Sequence, residues 1–293
     1  MEPEMPEPFA APSIVVGVDG SRGAVRAAVW AIDEAVSRDI PLRLVYAIDS
    51  PGDAAVDPQD EARQLASAEL ALRYAAGAVE ATERAVKVEV EILHGRPIAT
   101  LVDASRSAAM VCVGAVGIKH FDHNRIGSTA TTLVASAHCP VTIVRGADRS
   151  AAHEAGWIVV ELDDSPDSAA VLQFGVEEAR LRSAPLRVLS SWQSRYTDVH
   201  DSHAVSDGNR MVRAQLDRRL SNWKHRYPDL DARPVAVHGS VLHYLAKHGE
   251  EIQLVVVGAR NADGIEELLG PTGSAALHNT ECSVLVVDRQ RLL

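Results

Sequence analysis

Short apolar runs alternate along the chain with segments whose apolar residues recur every three or four positions. The first run, residues 14–18, predicts a buried strand that ends at Asp19-Gly20-Ser21. Val25, Ala28, Val29, Ile32, Ala35 and Val36 follow at helical spacing, and after Pro41 residues 42–48 predict a second strand. Residues 49–60, rich in Asp, Pro and Gly, predict a loop. Leu65, Ala68, Leu72, Ala76 and Val79 then mark one stripe of a long helix. Residues 86–93 alternate as a third strand, and His94-Gly95-Arg96-Pro97 turns into a short helix with Ile98, Leu101 and Val102. A fourth strand at 110–113 ends in Gly114, a helix covers 128–137, and 140–144 is a fifth strand. This β-α alternation predicts parallel strands joined by right-handed crossovers.

The whole pattern occurs twice. IVVGVDGS at 14–21 returns as IVVELDDS at 158–165, HGRP at 94–97 as HGSV at 238–241, and VCVGAVG at 111–117 as VVVGARN at 255–261, each displaced by 144 residues. Pro41-Leu42-Arg43 and Pro185-Leu186-Arg187 keep the same offset. The chain of 293 residues is therefore a duplicated domain, with each copy large enough for its own core. The expected organisation is a disordered tail at 1–12, a first domain at 13–146, a linker at 146–156 and a second domain at 157–288. In the second copy a helix is expected at 166–182 and a polar loop at 193–209.

Composition narrows the picture. Aromatic residues are only 4% of a chain that is 46% hydrophobic, so the cores must be aliphatic, which suits buried parallel strands under Ala-rich helices. A formal net charge of −11 opposes nucleic-acid binding. No run reaches the length of a membrane span, and the acidic, Pro-rich start does not resemble a signal peptide. Cys112, Cys139 and Cys282 lie in apolar runs and read as small buried hydrophobes in a reduced, cytoplasmic protein.

Candidate chemistry concentrates in the first copy, where the glycines run Gly114-x2-Gly117-x9-Gly127-Ser128 from a strand end to a helix start. Free amides at a helix N-terminus attract phosphate, and glycine lets backbone approach a ligand. The glycines also have a purely conformational reading as turns, and Asp19 has one as a helix cap. This pattern, the V-x-V-D-x-S strand end and the five-strand repeat resemble the universal stress proteins, in the tandem two-domain arrangement of actinobacteria. The resemblance implies an α/β fold of two doubly wound domains, each a five-stranded parallel sheet in order 3-2-1-4-5 flanked by helices. That order brings the ends of strands one and four together at a switch point, where such sheets bind ligands. In ATP-binding members, the equivalent of Asp19 contacts the adenine edge and that of Ala47 gives backbone contacts to the base. Val113, Gly114 and Gly117 would line the ribose and phosphates, and Gly127, Ser128 and Thr129 would hold the phosphates. The cofactor implied is ATP, with or without Mg. Ala115-Val116 departs from the polar pair common in the family, and the loop IKHFDHNRI is not Gly-rich. Lys119 and Arg125 could supply charge there, with Asp122 opposing it.

The second copy keeps Asp163 at the position of Asp19 but carries Glu161 for Gly17, Asp164 for Gly20, Asn261 for Gly117 and Pro271 for Ser128. Its loop is one residue shorter, since Gly270 matches Gly127 at an offset of 143. Added acid and a proline without an N–H predict weak nucleotide binding or none, although Gly270, Gly273 and Ser274 offer a shifted phosphate nest.

Other constellations are weaker. His120-x2-His123 and His200-x2-His203 lack further ligands at zinc spacing, and His243 and His248 read as structural or exposed. Neither a P-loop nor a nucleophile elbow is present. Glu177-Glu178 reads as a solvated helix face. Three functions remain open: an ATP-binding regulatory protein of the stress response, a weak ATPase or autokinase, and a non-binding dimerisation scaffold. The apolar fifth strands, 141–144 and 284–287, need cover. They are expected to pair the two domains, and the chain is expected to form a homodimer.

Overall fold

The computed structural model describes residues 12–49, 57–117, 126–146, 156–193, 202–259, 262–270, 273 and 282–288. The first copy comprises β1 (Ser13–Gly17), α1 (Arg22–Arg38), β2 (Leu42–Ile48), α2 (Pro58–Glu80), β3 (Val88–His94), α3 (Pro97–Ala104), β4 (Ala108–Gly114), α4 (Ser128–Ser136) and β5 (Val141–Val144). The second comprises β6 (Trp157–Glu161), α5 (Ser168–Leu181), β7 (Leu186–Trp192), α6 (Ser202–Arg226), β8 (Ala232–His238), α7 (Val241–His248), β9 (Ile252–Gly258), α8 (Ala262–Leu269) and β10 (Ser283–Val287). One ten-stranded sheet runs β3-β2-β1-β4-β5-β10-β9-β6-β7-β8. Each half thus has the order 3-2-1-4-5, all parallel, and the halves meet where β5 pairs antiparallel with β10. Val284 faces Ile143 and Val286 faces Val141 across that seam, so each apolar fifth strand covers the other.

Strand periodicity divides the core between two faces. One cluster joins Ile14, Val16, Leu42 and Leu44 to α1 and α2, and continues through Ile158, Val160 and Leu186 to α5 and α6. The other joins Val15, Val111, Val113 and Ile143 to α3 and α4, and their counterparts to α7 and α8. Small residues let the central helices sit close to the sheet: Ala24, Ala27, Ala28, Ala31 and Ala35 are all buried in α1. Ser21 starts α1, accepting the Ala24 N–H at 3.1 Å. Asp39 and Ser183, equivalent residues, end α1 and α5 with left-handed φ of 53° and 48°.

Three expectations are corrected. Leu65 does not share the buried stripe of α2; residues 57–67 are all exposed, because the first turns of that helix run past the sheet. The polar loop expected at 193–209 is helical from residue 202, as part of α6. The Trp192 indole explains this: its Nε1–H donates to Asn209 Oδ1 at 2.9 Å, and the ring lies so close to Gly208 that a Cβ there would be 2.2 Å away. Finally, Glu177 is exposed but Glu178 is 1% exposed, buried against the first domain. The tail at 1–11, most of the linker, the loop residues Lys119, Asp122 and Arg125, and His120, His123 and His200 lie outside the described residues.

Candidate functional site

A crevice of about 520 Å³ opens at the C-terminal ends of β1, β2 and β4 in the first domain. All eight residues singled out in the sequence line it: Asp19, Ala47, Val113, Gly114, Gly117, Gly127, Ser128 and Thr129. Strand order does this, because β1 lies between β2 and β4, so residues 47, 19 and 114 end neighbouring strands. Tyr46, Asp49, Gln64 and Pro97 also line the crevice and were not anticipated. Gln64 lies within α2 and Pro97 begins α3, and the approach of these helices to the crevice depends on crossover geometry and not on local sequence.

The glycines have specific spatial reasons. A Cβ on Gly114 would lie 2.5 Å from the carbonyl carbon of Gly23, and one on Gly23 would lie 2.7 Å from the carbonyl oxygen of Val116. These two glycines let α1 cross the end of β4 at backbone contact. A Cβ on Gly117 would lie 2.6 Å from Asp19 Oδ2. Gly117 therefore leaves room for the Asp19 carboxylate, which also accepts the Ser21 N–H at 2.9 Å. Gly20, at φ 86°, turns the chain between them. Opposite, Gly127 donates its N–H to the Ala115 carbonyl at 2.8 Å and caps α4 without a side-chain hydrogen bond. The α4 amides at Ser128 and Thr129 thus begin a helix at the crevice wall.

Among the described residues, the lining contains no Lys, Arg or His. The amides at the start of α4, the Ser128 and Thr129 residues and the positive end of that helix face the crevice, an arrangement that favours an anion. Asp19 and Asp49 are the carboxylates of the lining, and no group of three or more His, Cys, Asp or Glu suited to a metal occurs among the described residues.

The equivalent region of the second domain is built differently. Asp163 Oδ1 accepts the Ser165 N–H at 3.0 Å and the Ser168 hydroxyl at 2.9 Å. Burial pushes the Asp163 carboxyl upward, but the hydrogen bonds from Ser165 and Ser168 outweigh it and hold the group below its ordinary range. Arg219 from α6 donates to the Asp163 carbonyl at 3.3 Å and lies 3.7 Å from Asp164. Asp164, in place of Gly20, does not take a left-handed φ. α5 accordingly starts at Ser168, two residues later than the start of α1 at Arg22 displaced by 144. Where the first copy has its glycine loop, α8 buries Leu268 and Leu269, and Glu267 accepts the Ser240 hydroxyl at 2.6 Å. Gly273 is pressed against this helix, since a Cβ would lie 2.1 Å from the Glu267 carbonyl oxygen. Asn261, Pro271 and Ser274 lie outside the described residues.

The sequence profile of the Universal stress protein family matches residues 12–145 and again 157–288. The chain belongs to the universal stress protein family. Universal stress protein Rv2028c of Mycobacterium tuberculosis (strain ATCC 25618 / H37Rv) is 50% identical over 283 residues, covering 96% of this chain and 98% of the relative. Among solved structures, a universal stress protein from Archaeoglobus fulgidus DSM 4304 superposes at a TM-score of 0.69 with 16% identity, covering 96% of this chain and 97% of that one. Its likeness is one of fold. A universal stress protein from Archaeoglobus fulgidus solved in complex with dAMP is 22% identical and overlaps 46% of this chain and 97% of that one, at a TM-score of 0.36. Within this family the chain is a tandem pair, one stress-protein unit per copy.

Proposed function

We propose that this universal stress protein is a cytoplasmic regulator of the stress response that binds ATP in its first domain. The observation that carries this reading is the meeting of Asp19, at the end of β1, with the Gly114–Gly117 turn and the uncapped start of α4 in one crevice. Asp19 and the Ala47 backbone would read the adenine. Val113, Gly114 and Gly117 would line the ribose and the first phosphate, and Gly127, Ser128 and Thr129 would hold the remaining phosphates. With two carboxylates in the lining, any Mg would come with the nucleotide. The second domain would serve as a non-binding partner: Asp163 takes the Ser168 hydroxyl besides the Ser165 N–H, Arg219 lies against its carbonyl, and α8 stands where the phosphate loop would be.

The chain would further associate as a homodimer. Because β5 and β10 cover each other within one chain, the contact would use another surface, and exposed Leu70 and Tyr74 on α2 are apolar candidates for it. Light scattering at micromolar concentration should give twice the chain mass; a monomer overturns this part.

Titration calorimetry with ATP tests the main reading. One site per chain is expected, with heat lost in Gly117→Glu, whose side chain would enter the Asp19 position while circular dichroism stays unchanged. Unchanged affinity in that variant overturns the site. No binding by the unaltered chain favours the scaffold reading. Phosphate release above a protein-free control, lost in Gly117→Glu, would instead identify a slow ATPase.

A further inference from the structure

Glu34 and Glu178 are the same position in the two copies, 144 residues apart, as are Arg38 and Arg182. The glutamates belong to α1 and α5, and their side chains are 0% and 1% exposed. Arg38 Nη1 donates to Glu34 Oε2 at 2.6 Å. Arg182 spans the domain boundary, donating through Nη2 to Glu34 Oε1 at 2.9 Å and through Nη1 to Glu178 Oε2. Its guanidinium also lies over the Trp30 ring, 4.4 Å from the centroid. Arg38 makes no reciprocal hydrogen bond to Glu178 among the described residues, so the four-residue cluster is asymmetric.

The two buried carboxyl groups converge on one guanidinium, Glu34 on Arg182 Nη2 and Glu178 on Arg182 Nη1, one acid from each domain. Two buried carboxylates gathered on one shared guanidinium repel each other, and a proton kept by one of them relieves that repulsion. We propose that the joint between the domains is proton-dependent: Glu178 keeps a proton beside Arg182 and Glu34, and its loss loosens the contact between α1 and α5. Burial, followed by the charge of Glu34, pushes the Glu178 carboxyl up to about 8 against the pull of Arg182 and Arg38.

The surrounding groups leave this proton as the variable charge. Asp33 acts on Arg182 and pairs with Arg84 at 3.0 Å. The Cys112 thiol on β4 also faces the pair; burial, and then the charge of Glu34, push it far up, so it stays neutral. Glu177 and Arg180 stand at the rim of a cleft of about 380 Å³ with Ser37, Arg38 and Leu181, and this cleft gives solvent a path to the carboxyls. The native state binds one proton more than the unfolded chain from the ordinary glutamate value of 4.5 up to about 8. Stability therefore falls as pH rises through that window and levels off above it.

Infrared difference titration of the full chain tests the proposal directly. A protonated-carboxyl band should persist at neutral pH and disappear with a midpoint near 8. Amide exchange in α1 and α5, corrected for intrinsic rate, should rise about tenfold between pH 7 and pH 9, and Glu178→Gln should remove both the band and the rise. If Glu178→Gln fails to fold, Glu34→Gln probes the joint from the other side, and the infrared titration needs no variant. Absence of a protonated carboxyl at neutral pH overturns the proposal. So does equal α1 and α5 protection in unaltered protein and variant at pH 9.

Discussion

The two halves carry the same strands at the same offset, and Asp19 and Asp163 each accept the N–H of the serine two residues on, yet the surroundings of the two aspartates differ. Asp19 is exposed at the mouth of a crevice, with Gly117 leaving space for its carboxylate. Asp163 is turned inward to Ser165 and Ser168 and overlaid by Arg219. The residue next to each aspartate differs as well. Gly20 takes a left-handed turn and α1 starts early at the Ser21 cap, whereas Asp164 does not take one and α5 starts later. Glycine in one copy and aspartate in the other thus accompany two different helix starts, while the sheet beneath stays the same.

Matched substitutions sharpen this contrast. The largest difference is expected between Gly114→Ala and Gly258→Ala. The first drives a Cβ to 2.5 Å from the Gly23 backbone, while the second meets Val171 Cγ2 at 3.2 Å and Asp167 Cβ at 3.8 Å. Urea unfolding should show a loss of about 3 kcal/mol or more for Gly114→Ala and under ~1 kcal/mol for Gly258→Ala; equal losses would mean that α1 and α5 approach their strands alike. Next comes Gly175→Ala. Its first-copy counterpart is already Ala31, but a Cβ on Gly175 would lie 2.0 Å from Val160 Cγ2. A loss of about 1–3 kcal/mol confined to the second domain's transition is expected. Ser21→Ala removes the α1 cap and should cost about 1 kcal/mol, whereas Ser165→Ala, at a position where no helix begins, should cost less.

The smallest effect concerns pH. The lowered Asp163 carboxyl stabilises the second domain above the ordinary aspartate range, and this contribution is lost as pH falls through its folded-state value. Asp163→Asn should flatten the acid limb of the second domain's thermal transition. An unchanged acid limb would show that its serine hydrogen bonds do not matter to stability.

Much of this was legible in the sequence because the signals were local or repeated. Each parallel strand is a continuous apolar run, and the switch-point residues Asp19 and Gly114 end such runs. The unread parts depend on contacts between distant segments. Glu178 follows the buried Val171 and Gly175 at helical spacing, but its charge reads as solvated; Arg182, which also reaches Glu34 in the other copy, is the partner that accompanies its burial. One signal was available: Glu-x3-Arg recurs at 34–38 and 178–182. The start of α6 was read as loop because its helix-forming tendency is weak and its anchor, Trp192, lies across the sheet end. The opposite error at Leu65 has the same origin, since a stripe of apolar residues does not reveal where the sheet beneath it stops.

The β5–β10 seam has a consequence for dilution. Four residues of β5 against five of β10 form a small contact, and two separate polypeptides joined that way would part as their concentration fell. Here both strands belong to one chain, so each meets its partner at an effective concentration set by the linker and not by the cell. Pairing by tether also frees the halves from being identical. A dimer of separate, identical chains would impose each substitution on both sides of the seam at once, whereas this chain can keep Gly20 on one side and Asp164 on the other.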